Sequence, residues 1–411
     1  MDDPVQAQYE AYPYPARDPA DEVRRLVTGS PSHLDEINHT LFAGQRDFSQ
    51  PFRALVAGGG TGDAAIMLAQ QLAERGSAGR VDYLDLADGA REIAEARATI
   101  RGLRNIAFHR GKIEDLLALG LAPFDYIDCC GVLHHLADPS AGLTALADSL
   151  APNGGIGLMV YGEYGRTGVY PAQAALRALG RGLDLPSQVQ LTRRLLAELP
   201  ATNWLRRNPF LGDHKLSDAE LVDLFLHTRD RAYTVTQLLE LASAAGLELV
   251  RFIEPVRYDP ASYLSDPALA ERASALAPPD QAALAEALAG NMKKHVAYVV
   301  PRGTAGGRIA RLAGTQTRLL PARLDLARAI DPEYRLKVAF DGLEIVCTLP
   351  PLGREILQLA DGRRSLEEIH RGLQSGQPAL DWLAFQAQAK QLVGALEPLN
   401  LLWLSAGRAR L

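Results

Sequence analysis

The stretch Leu55–Asp63, with the sequence LVAGGGTGD, joins three apolar residues to a cluster of four glycines and then to an acidic residue. The segment that follows, AAIMLAQQLAERG, has helical apolar spacing and predicts a helix over residues 63–75. Glycines between a strand and a helix let the backbone turn sharply and approach a ligand closely. The N-terminus of the helix also offers free backbone N–H groups. The stretch therefore predicts a ligand site at a strand–helix junction.

The regions on either side of this stretch alternate between apolar runs and helical patterns. Between about residues 51 and 165, strand patterns recur in RALVAG, RVDYLDL, IAFHRG, FDYIDCCGV and IGLMVYG. Two later runs, GLELVRFIEP and KKHVAYVVPR, could complete the sheet. Strand–helix alternation of this kind builds a parallel sheet covered on both faces. Residues 165–245 carry helical patterns without a convincing strand, so we predict a helical insertion there.

The glycine spacing indicates which kind of ligand the junction holds. It reads Gly58-x-Gly60-x-Gly62. Asp63 then stands where a dinucleotide-binding fingerprint has its third glycine, and a carboxylate in the first helical turn disfavours a pyrophosphate. Asp85 ends the second predicted strand, where a carboxylate can accept both hydroxyls of a ribose. The pattern therefore favours an adenosine that carries a cationic group and no phosphate.

With these features the sequence resembles the class I S-adenosylmethionine-dependent methyltransferases. LVAGGGTGD matches the first motif of that family, GKIEDL its adenine-contacting loop, and FDYIDCCGVLHHLADP its fourth-strand motif. LAPNGGIGLMVYG matches the turn into the fifth strand. The resemblance covers roughly residues 50–165, with weaker support to about residue 301. It implies an α/β fold with a Rossmann-like seven-stranded methyltransferase sheet over residues 51–302, S-adenosyl-L-methionine as the cofactor, and methyltransferase activity.

The resemblance also implies a set of cofactor-binding residues. Glycines border the methionine moiety and the sulfonium, an acid at the end of the second strand holds the ribose, and the loop after the third strand frames the adenine. The implied residues are Gly58, Gly60, Gly62, Asp85, Ile113, Glu114 and Gly131. One position departs from the family, which often carries an acid two residues before the first glycine. That residue is Val56 here, so a contact to the methionine amino group is expected to be missing or replaced.

Polar residues follow the fourth and fifth predicted strands, at the edge of the sheet where ligands bind. His134 and His135 come after strand four, and histidine can take up a proton near neutral pH. Tyr161 and Glu163 follow strand five, as a predicted substrate contact and a candidate proton acceptor. The alternatives are histidines that cap the loop or face solvent, and a solvated glutamate. A general base is needed only if the acceptor must lose a proton.

Residues 1–50 are predicted to form an arm that is rich in tyrosine and proline, with Tyr12 and Tyr14 next to prolines. Proline stiffens the backbone, and tyrosine rings can cover a pocket and attract a sulfonium. We therefore predict a lid that contacts substrate, with an arm packed on the domain surface as the alternative. In the helical insertion, His227 and Tyr233 are the predicted substrate contacts. A capped helix followed by a charged turn is the alternative there.

The last part of the chain is predicted to be a separate unit. Residues 303–330 are rich in glycine and small residues and are predicted to form a linker. Residues 331–411 show two strand patterns and three helices, which suggests a small winged-helix-like domain. Within them, LPPLGREILQLADGRRSLEEIHRGL resembles the small winged-helix peptide-binding domain of the pyrroloquinoline quinone pathway and its relatives. This resemblance implies peptide capture or dimerisation, so a homodimer is among the expectations.

Composition narrows the range of partners. The formal net charge of the 411 residues is −6, and SLEEIHRGLQSG is not a basic recognition helix, so no nucleic acid is expected. Apolar runs stay well below about 18 residues and the N-terminus lacks a signal-peptide core, so we expect no membrane span and a cytoplasmic location. The three cysteines show no metal-site spacing, so no metal is expected.

Three functions are compatible with these observations. The chain is a methyltransferase for a small molecule, a methyltransferase for a peptide or protein captured by the C-terminal unit, or a non-catalytic regulatory protein that binds S-adenosylmethionine. The intact glycine motif and Asp85 favour an enzyme over the third function.

Overall fold

The computed structural model describes residues 4–212, 215, 217–323 and 325–406. Predictions that fall on residues 1–3, 213, 214, 216, 324 and 407–411 lie outside the described residues; they concern parts of the arm, insertion, linker and C-terminal domain. The chain divides into two compact units. The first comprises the described residues of Met1–Ser32, Phe48–Leu247 and Gly290–Pro301, and the second those of His33–Asp47, Glu248–Ala289 and Arg302–Leu411.

A seven-stranded mixed sheet forms the framework of the fold. Its strands are β1 (Arg53–Ala57), β2 (Arg80–Asp85), β3 (Ile106–Arg110), β4 (Phe124–Cys130), β5 (Leu150–Tyr161), β6 (Leu247–Phe252) and β7 (Lys294–Pro301). The order across the sheet is β3-β2-β1-β4-β5-β7-β6. Neighbours among β1 to β5 run parallel, and β7 runs antiparallel to β5. The predicted Rossmann-like seven-stranded sheet is confirmed.

Helices cover the sheet and build the rest of the chain. Those among the described residues are α1 (Pro4–Ala11), α2 (Leu34–Leu41), α3 (Asp63–Glu74), α4 (Asp88–Ile100), α5 (Pro139–Asp148), α6 (Val169–Leu179), α7 (Leu185–Glu198), α8 (Trp204–Arg207), α9 (Asp218–Leu221), α10 (Val235–Ala244), α11 (Pro267–Ser274), α12 (Pro278–Ala289), α13 (Gly353–Leu359), α14 (Leu366–Gln374) and α15 (Trp382–Leu396). Leu55 and Val56 point to opposite faces of β1 and are both buried, so this strand is covered from two sides. The carboxylate of Asp138 accepts hydrogen bonds from backbone N–H groups in the first turn of α5, which fixes where that helix begins.

Strand β5 begins earlier than the sequence suggests. The Pro-Asn-Gly-Gly segment predicts a turn after α5, yet β5 already starts at Leu150, which pairs with Phe124. The register shifts between Phe124 and Tyr126, so an irregularity in the β4–β5 ladder accommodates the additional residues. Beyond it the strand runs regularly to Tyr161, one residue before the end of the predicted fifth strand at Gly162.

The helical insertion over residues 165–245 contains α6 to α10 and, among its described residues, no strand. Its apolar core includes Val169, Leu176, Val189 and Phe225. A turn of π-helix, Val222–Leu226, follows α9 directly. Such turns place side chains at angles that a regular helix does not offer, and they are frequent at functional sites.

The second unit contains two small antiparallel sheets. β8 (Thr317–Pro321) pairs with β11 (Leu402–Ala406), and β9 (Arg335–Phe340) pairs with β10 (Leu343–Thr348). The side chains at the centre of its core are Leu319, Ile356, Ile369, Phe385 and Leu392. β8 lies within residues 303–330, the segment predicted to be a linker. Leu319 of this strand is fully buried in the core, so this part of the segment belongs to the folded unit.

The described residues of the predicted C-terminal domain include the β9–β10 hairpin and the three helices α13 to α15. The hairpin and the three helices correspond to the pattern that the sequence suggests, but β11 is a third strand in this range and pairs with β8, which precedes it. The winged-helix identity and the domain boundaries stay predictions. In the described part of the chain, no helix combines the length and apolarity needed to cross a membrane. The cytoplasmic location stays a prediction.

Candidate active site

A cavity of about 410 Å³ lies in the first unit, at the carboxyl ends of β1, β2, β4 and β5. This is the edge of a parallel sheet where ligands bind, and the volume is typical of small-molecule sites. Many of the residues predicted from the sequence line this cavity. They are Tyr14, Gly58, Gly60, Asp85, Ile113, Glu114, Gly131, His135 and Tyr161.

The glycine loop requires glycine because the backbone passes close to its neighbours. Gly58 has a φ of +73°, and a Cβ added there would lie 2.4 Å from a methyl carbon of Val132. Gly60 has a φ of +50°, and its Cβ would lie 2.7 Å from the backbone oxygen of Tyr14. Gly62 precedes α3 with a φ of +101° and is not among the cavity-lining residues. Gly58 and Gly60 therefore shape the wall, and Gly62 serves the turn into the helix.

Asp85 is held in place by backbone hydrogen bonds to both carboxylate oxygens. Gly60 N–H donates to Oδ2 at 2.8 Å, and Ala87 N–H donates to Oδ1 at 2.9 Å. Burial raises the pKa of Asp85, and these backbone hydrogen bonds act in the opposite direction without cancelling the shift. Each carboxylate oxygen can accept a further hydrogen bond. The carboxylate can therefore accept hydrogen bonds from two adjacent hydroxyls of a ligand.

Asp63 also lines the cavity, but two arginines pair with its carboxylate. Arg17 and Arg97 each approach it to 2.7 Å, and the buried Arg97 pairs with Glu22 as well. Burial raises the pKa of Asp63, but the hydrogen bonds and charges of the two arginines outweigh burial and leave it lowered. Asp63 therefore anchors the N-terminal segment, which explains an acid where a dinucleotide motif has glycine.

The N-terminal arm contributes directly to the cavity wall. Thr61 donates through its backbone N–H to the oxygen of Tyr14 and through its hydroxyl to the oxygen of Pro15, at 3.3 and 2.8 Å. The carboxylate of Glu10 accepts the first two backbone N–H groups of α4 at 2.8 and 2.9 Å. A carboxylate at a helix N-terminus is favourable for the helix. The arm is thus fastened to the glycine loop and to α4, beside the cavity.

A buried carboxylate that the sequence analysis did not select, Asp223, lies next to this cavity. Tyr9 donates its hydroxyl to Oδ1 at 3.1 Å, and Tyr161 donates to Oδ2 at 2.7 Å. His135 Nε2 lies 3.9 Å from Oδ1. The sequence signal was a single acid in the apolar segment VDLFL, which forms the π-helical turn. An acid at such a position requires polar partners when it is buried.

The tautomer of His135 follows from its hydrogen bonds. Nδ1 lies 2.7 Å from the backbone oxygen of Arg229, which can only accept, so Nδ1 carries the hydrogen. Nε2 has no hydrogen-bond partner among the described residues and holds the free lone pair. Burial lowers the pKa of His135 to about 4, although Asp230 acts in the opposite direction. The imidazole is therefore neutral at pH 7 and can accept a proton.

His134 occupies a different environment from its neighbour. It is buried, it is not among the cavity-lining residues, and its ring stacks on Tyr161 with centroids 3.9 Å apart. Neither of its ring nitrogens has a hydrogen-bond partner among the described residues. Burial lowers the pKa of His134 well below its usual value. The contacts of His134 are those of a neutral packing residue, and its catalytic role stays a prediction.

Three potential ligand groups for a metal ion, from His135, Asp223 and His227, lie within 4.8 Å of one another. The hydrogen bonds do not suit a metal centre, because Nδ1 of His227 accepts the backbone N–H of Arg229 at 3.0 Å. The other nitrogen of His227 then carries the hydrogen and donates to the hydroxyl of Tyr9 at 3.1 Å. With one imidazole lacking a free lone pair, the cluster is better described as a hydrogen-bonded network.

The remaining predicted residues lie away from the cavity lining. Glu163 is exposed to solvent, and Tyr12 packs on the apolar core of the helical insertion. Tyr233 is buried under the guanidinium of Arg231, 4.7 Å from the ring centroid. His227 is not part of the cavity lining, but it contacts two residues that are: it donates to the hydroxyl of Tyr9 and stacks on His135 with centroids 3.6 Å apart. The roles assigned to these side chains stay predictions.

Comparison with known proteins agrees with this architecture. Residues 55–156 match the family model described as a methyltransferase domain, and this span contains the glycine loop, Asp85 and His135. A methyltransferase domain with a Rossmann-like sheet is therefore part of this chain. Most of the residues that line the cavity lie within the matched span, and the N-terminal segment, the end of β5 and Lys294 supply the others.

Curated relatives resemble parts of the chain. An uncharacterized protein from Synechococcus sp. is 30% identical over 269 residues, which cover 62% of this chain and 61% of that protein. A ubiquinone biosynthesis O-methyltransferase from Neisseria meningitidis serogroup C is 30% identical over 138 residues, which cover 33% of this chain and 53% of that enzyme. The chain thus spans less than two thirds of the length of these relatives.

Solved structures share the fold over a longer range. PKMT2 from Rickettsia typhi superposes with a TM-score of 0.64 at 15% identity, covering 91% of this chain and 75% of that chain. The same protein in complex with AdoHcy gives a TM-score of 0.63 at 16% identity, with the same coverage. At this identity the likeness establishes the fold.

Proposed function

We propose that the chain is an S-adenosyl-L-methionine-dependent methyltransferase. One observation carries the proposal: one cavity joins the glycine loop, the doubly anchored carboxylate of Asp85 and the imidazole of His135, whose Nε2 has no hydrogen-bond partner among the described residues. The cofactor supplies an activated methyl group when it is bound. The protein then has to orient the donor and the acceptor, which can supply much of the rate acceleration in a direct displacement.

The cofactor-binding residues follow from the wall of the cavity. Asp85 accepts the ribose hydroxyls, and Ile113 and Glu114 flank the adenine at the carboxyl end of β3. Gly58 and Gly131 leave the wall without side chains on the opposite side, toward β4. Five residues of the arm complete the wall and limit the access of water: Val5, Gln6, Tyr9, Tyr14 and Pro15.

His135 is the group best placed to take a proton from an acceptor. Its Nε2 is unprotonated, and its orientation is fixed by the backbone oxygen of Arg229. Asp223, at 3.9 Å, stabilises the imidazolium that forms on proton uptake. The hydroxyls of Tyr9 and Tyr161 hold both oxygens of Asp223 in position. An acceptor that carries a removable proton on oxygen or nitrogen suits this arrangement.

The acceptor is a small molecule, or a peptide or protein captured by the second unit. The second reading is supported by the β9–β10 hairpin and the helices α13 to α15, which have the content of a winged-helix-like domain. Such a domain also serves self-association, so a homodimer is part of the proposal. A cytoplasmic location and a lack of nucleic-acid partners complete it.

Two experiments test the proposal. In calorimetry, the wild-type protein should bind S-adenosylhomocysteine and should not bind NADH; the reverse result would overturn the cofactor assignment. In the second experiment, cell extract is incubated with the protein and methyl-labelled S-adenosylmethionine, and label is sought in the metabolite and protein fractions. Label in either fraction identifies the acceptor class, whereas cofactor binding without any transfer to a broad panel of extracts would favour a regulatory protein.

A further inference from the structure

The position at which the first motif lacks its expected acid lies beside an acid on the neighbouring strand. Val56 occupies the position where the resemblance implies an acid, and in the parallel β1–β4 pair Val56 lies opposite Asp128. Paired residues of adjacent strands project to the same face of the sheet. Both residues also line the cavity. The structure therefore places a carboxylate one strand away from the position where the sequence lacks one.

The carboxylate of Asp128 is only partly satisfied within the protein. Ser32 donates its hydroxyl to Oδ2 at 2.7 Å, whereas Oδ1 has no hydrogen-bond partner among the described residues. The residue is fully buried, and burial raises the pKa of Asp128 even though hydrogen bonds from Ser32, from the thiol of Cys130 and from Tyr126 act against it. A buried carboxylate oxygen without a donor is unfavourable. Asp128 belongs to the cavity wall, so a cationic donor bound in the cavity would remove this cost once the carboxylate turns toward it.

The other carboxylates in the cavity wall already have different assignments. Asp63 is paired with two arginines, and both oxygens of Asp85 accept backbone hydrogen bonds. Glu114 is exposed to solvent beside the predicted adenine loop. Among the four carboxylates of the wall, Asp128 is the one with a buried oxygen that has no donor in the described part of the chain.

The position of Asp128 also suits the extended shape of the ligand. Asp85 is on β2 and Asp128 is on β4, and these strands flank β1 on opposite sides. Neighbouring strands are about 4.8 Å apart, so roughly 10 Å separate β2 from β4. That distance leaves room for a ribose near Asp85 and for an amino-acid chain that reaches toward Asp128.

We propose that Asp128 binds the α-amino group of the cofactor's methionine moiety and replaces the acid that is absent at Val56. This inference rests on the proposed cofactor. The ammonium donates to the unpaired Oδ1, while Ser32 keeps the carboxylate oriented through Oδ2. Affinity then depends on the charge of Asp128 for every ligand that carries the amino group, and only for those.

The test compares three ligands by calorimetry with wild type and Asp128→Asn. They are S-adenosylhomocysteine, its analogue without the α-amino group, and 5′-methylthioadenosine, which has no amino-acid part. We expect Asp128→Asn to lower the affinity for S-adenosylhomocysteine at least about 10-fold, as for a lost hydrogen bond between charged groups. The affinities for the amino-free analogue and for 5′-methylthioadenosine should change less than about 2-fold. Asp125→Asn, on the same strand but outside the cavity lining, is the matched control.

The outcomes separate this inference from the proposed function. If wild type binds neither S-adenosylhomocysteine nor 5′-methylthioadenosine, the cofactor assignment fails, and the role of Asp128 fails with it. If wild type binds both and Asp128→Asn binds S-adenosylhomocysteine equally well, only the role of Asp128 is wrong. An equal loss of affinity for all three ligands would show that Asp128 maintains the shape of the cavity wall, and this result would also overturn the inference.

A second variant covers the case in which Asp128→Asn does not fold. In Val56→Asp/Asp128→Val the acid returns to the position expected from the first motif. We expect this variant to prefer S-adenosylhomocysteine to its amino-free analogue at least about 10-fold, as wild type does. Binding of 5′-methylthioadenosine with no such preference would contradict the exchange of the two positions.

Discussion

The hydroxyl of Tyr9 donates a hydrogen bond to Asp223 at 3.1 Å, across 214 residues of sequence. The arm and the helical insertion are thereby joined beside the cavity, and the same carboxylate lies 3.9 Å from Nε2 of His135. The tyrosine of the arm is thus one contact away from the group proposed to accept a proton. Docking of the arm and the orientation of Asp223 depend on the same hydrogen bond.

Tyr9→Phe should loosen the arm. The substitution leaves one oxygen of the buried Asp223 without this donor, a loss of about 1–3 kcal/mol. We expect faster hydrogen–deuterium exchange in α1 and a lower free energy of unfolding. Tyr12→Phe is the control, because its ring still packs on the insertion core. Equal exchange rates in Tyr9→Phe and wild type would show that the hydrogen bond does not hold the arm.

Asp85→Ala should weaken cofactor binding by roughly 1.5–3 kcal/mol, which is the range of hydrogen bonds to a charged group. The loss has two sources, since Asp85 faces the ligand and also orients the N–H of Gly60. Calorimetry with S-adenosylhomocysteine measures the change. Asp88→Ala, three residues further along and outside the cavity lining, should bind nearly as wild type does. Unchanged affinity in Asp85→Ala would remove Asp85 from the site.

The stability of the protein should depend on pH through His135. Its pKa is about 4 in the folded state, below the usual value of 6.5, so the unfolded chain binds the proton more readily between these values. The contribution of His135 to the free energy of unfolding is therefore fully present above about pH 6.5. It is lost as the pH falls toward 4, by up to about 1.4 kcal/mol per pH unit. The pKa of Asp223 is raised by burial and changes stability in the opposite direction.

The pKa values of His134 and His227 are lowered as well, so these residues contribute in the same direction as His135. His135→Gln leaves them and Asp223 in place, so its comparison with wild type reports on His135. Denaturant unfolding of wild type and His135→Gln at several pH values between 7 and about 4 measures the difference. The free energy of unfolding should fall more steeply with acidification in wild type than in the variant. Parallel curves would mean that His135 titrates as in the unfolded chain.

Arg97→Met should destabilise the first unit strongly. Arg97 is buried and pairs with both Glu22 and Asp63, so its removal leaves the buried Glu22 with less compensation. Breaking a buried pair of this kind costs about 3–5 kcal/mol. Arg91→Met, on the same helix, removes more exposed pairs and should have little effect. Chemical denaturation compares the two variants, and similar midpoints would contradict the importance of the buried pair.

Much of the fold was predictable from local patterns. The glycine stretch, the helix after it and the five strands up to residue 161 are encoded by apolar periodicity and by turn residues within short windows. Two features could not be predicted from local patterns, because each depends on pairing with another strand. β8 lies in a segment dominated by small residues, and only its pairing with β11, far along the chain, reveals it as a strand. The early start of β5 depends on an irregular ladder with β4.

The site was predictable where a motif is contiguous and less so where it is assembled from distant segments. Asp85 ends β2 and the glycines directly follow β1, and the structure places Asp85, Gly58 and Gly60 on one cavity. Asp223 was missed because its partners come from the arm and from β5. Asp128 looks like one polar residue in an apolar strand, and only the strand register reveals that it faces Val56.

The arm forms part of the cavity wall and is also fastened to α4 by Glu10 and to the glycine loop by Thr61. Any ligand that touches the arm binds preferentially to the docked conformation. Ligand affinity and arm docking are therefore thermodynamically linked, and each stabilises the other by the same free energy. A substitution at Glu10, distant in sequence from every glycine of the motif, should consequently lower cofactor affinity without removing a single ligand contact.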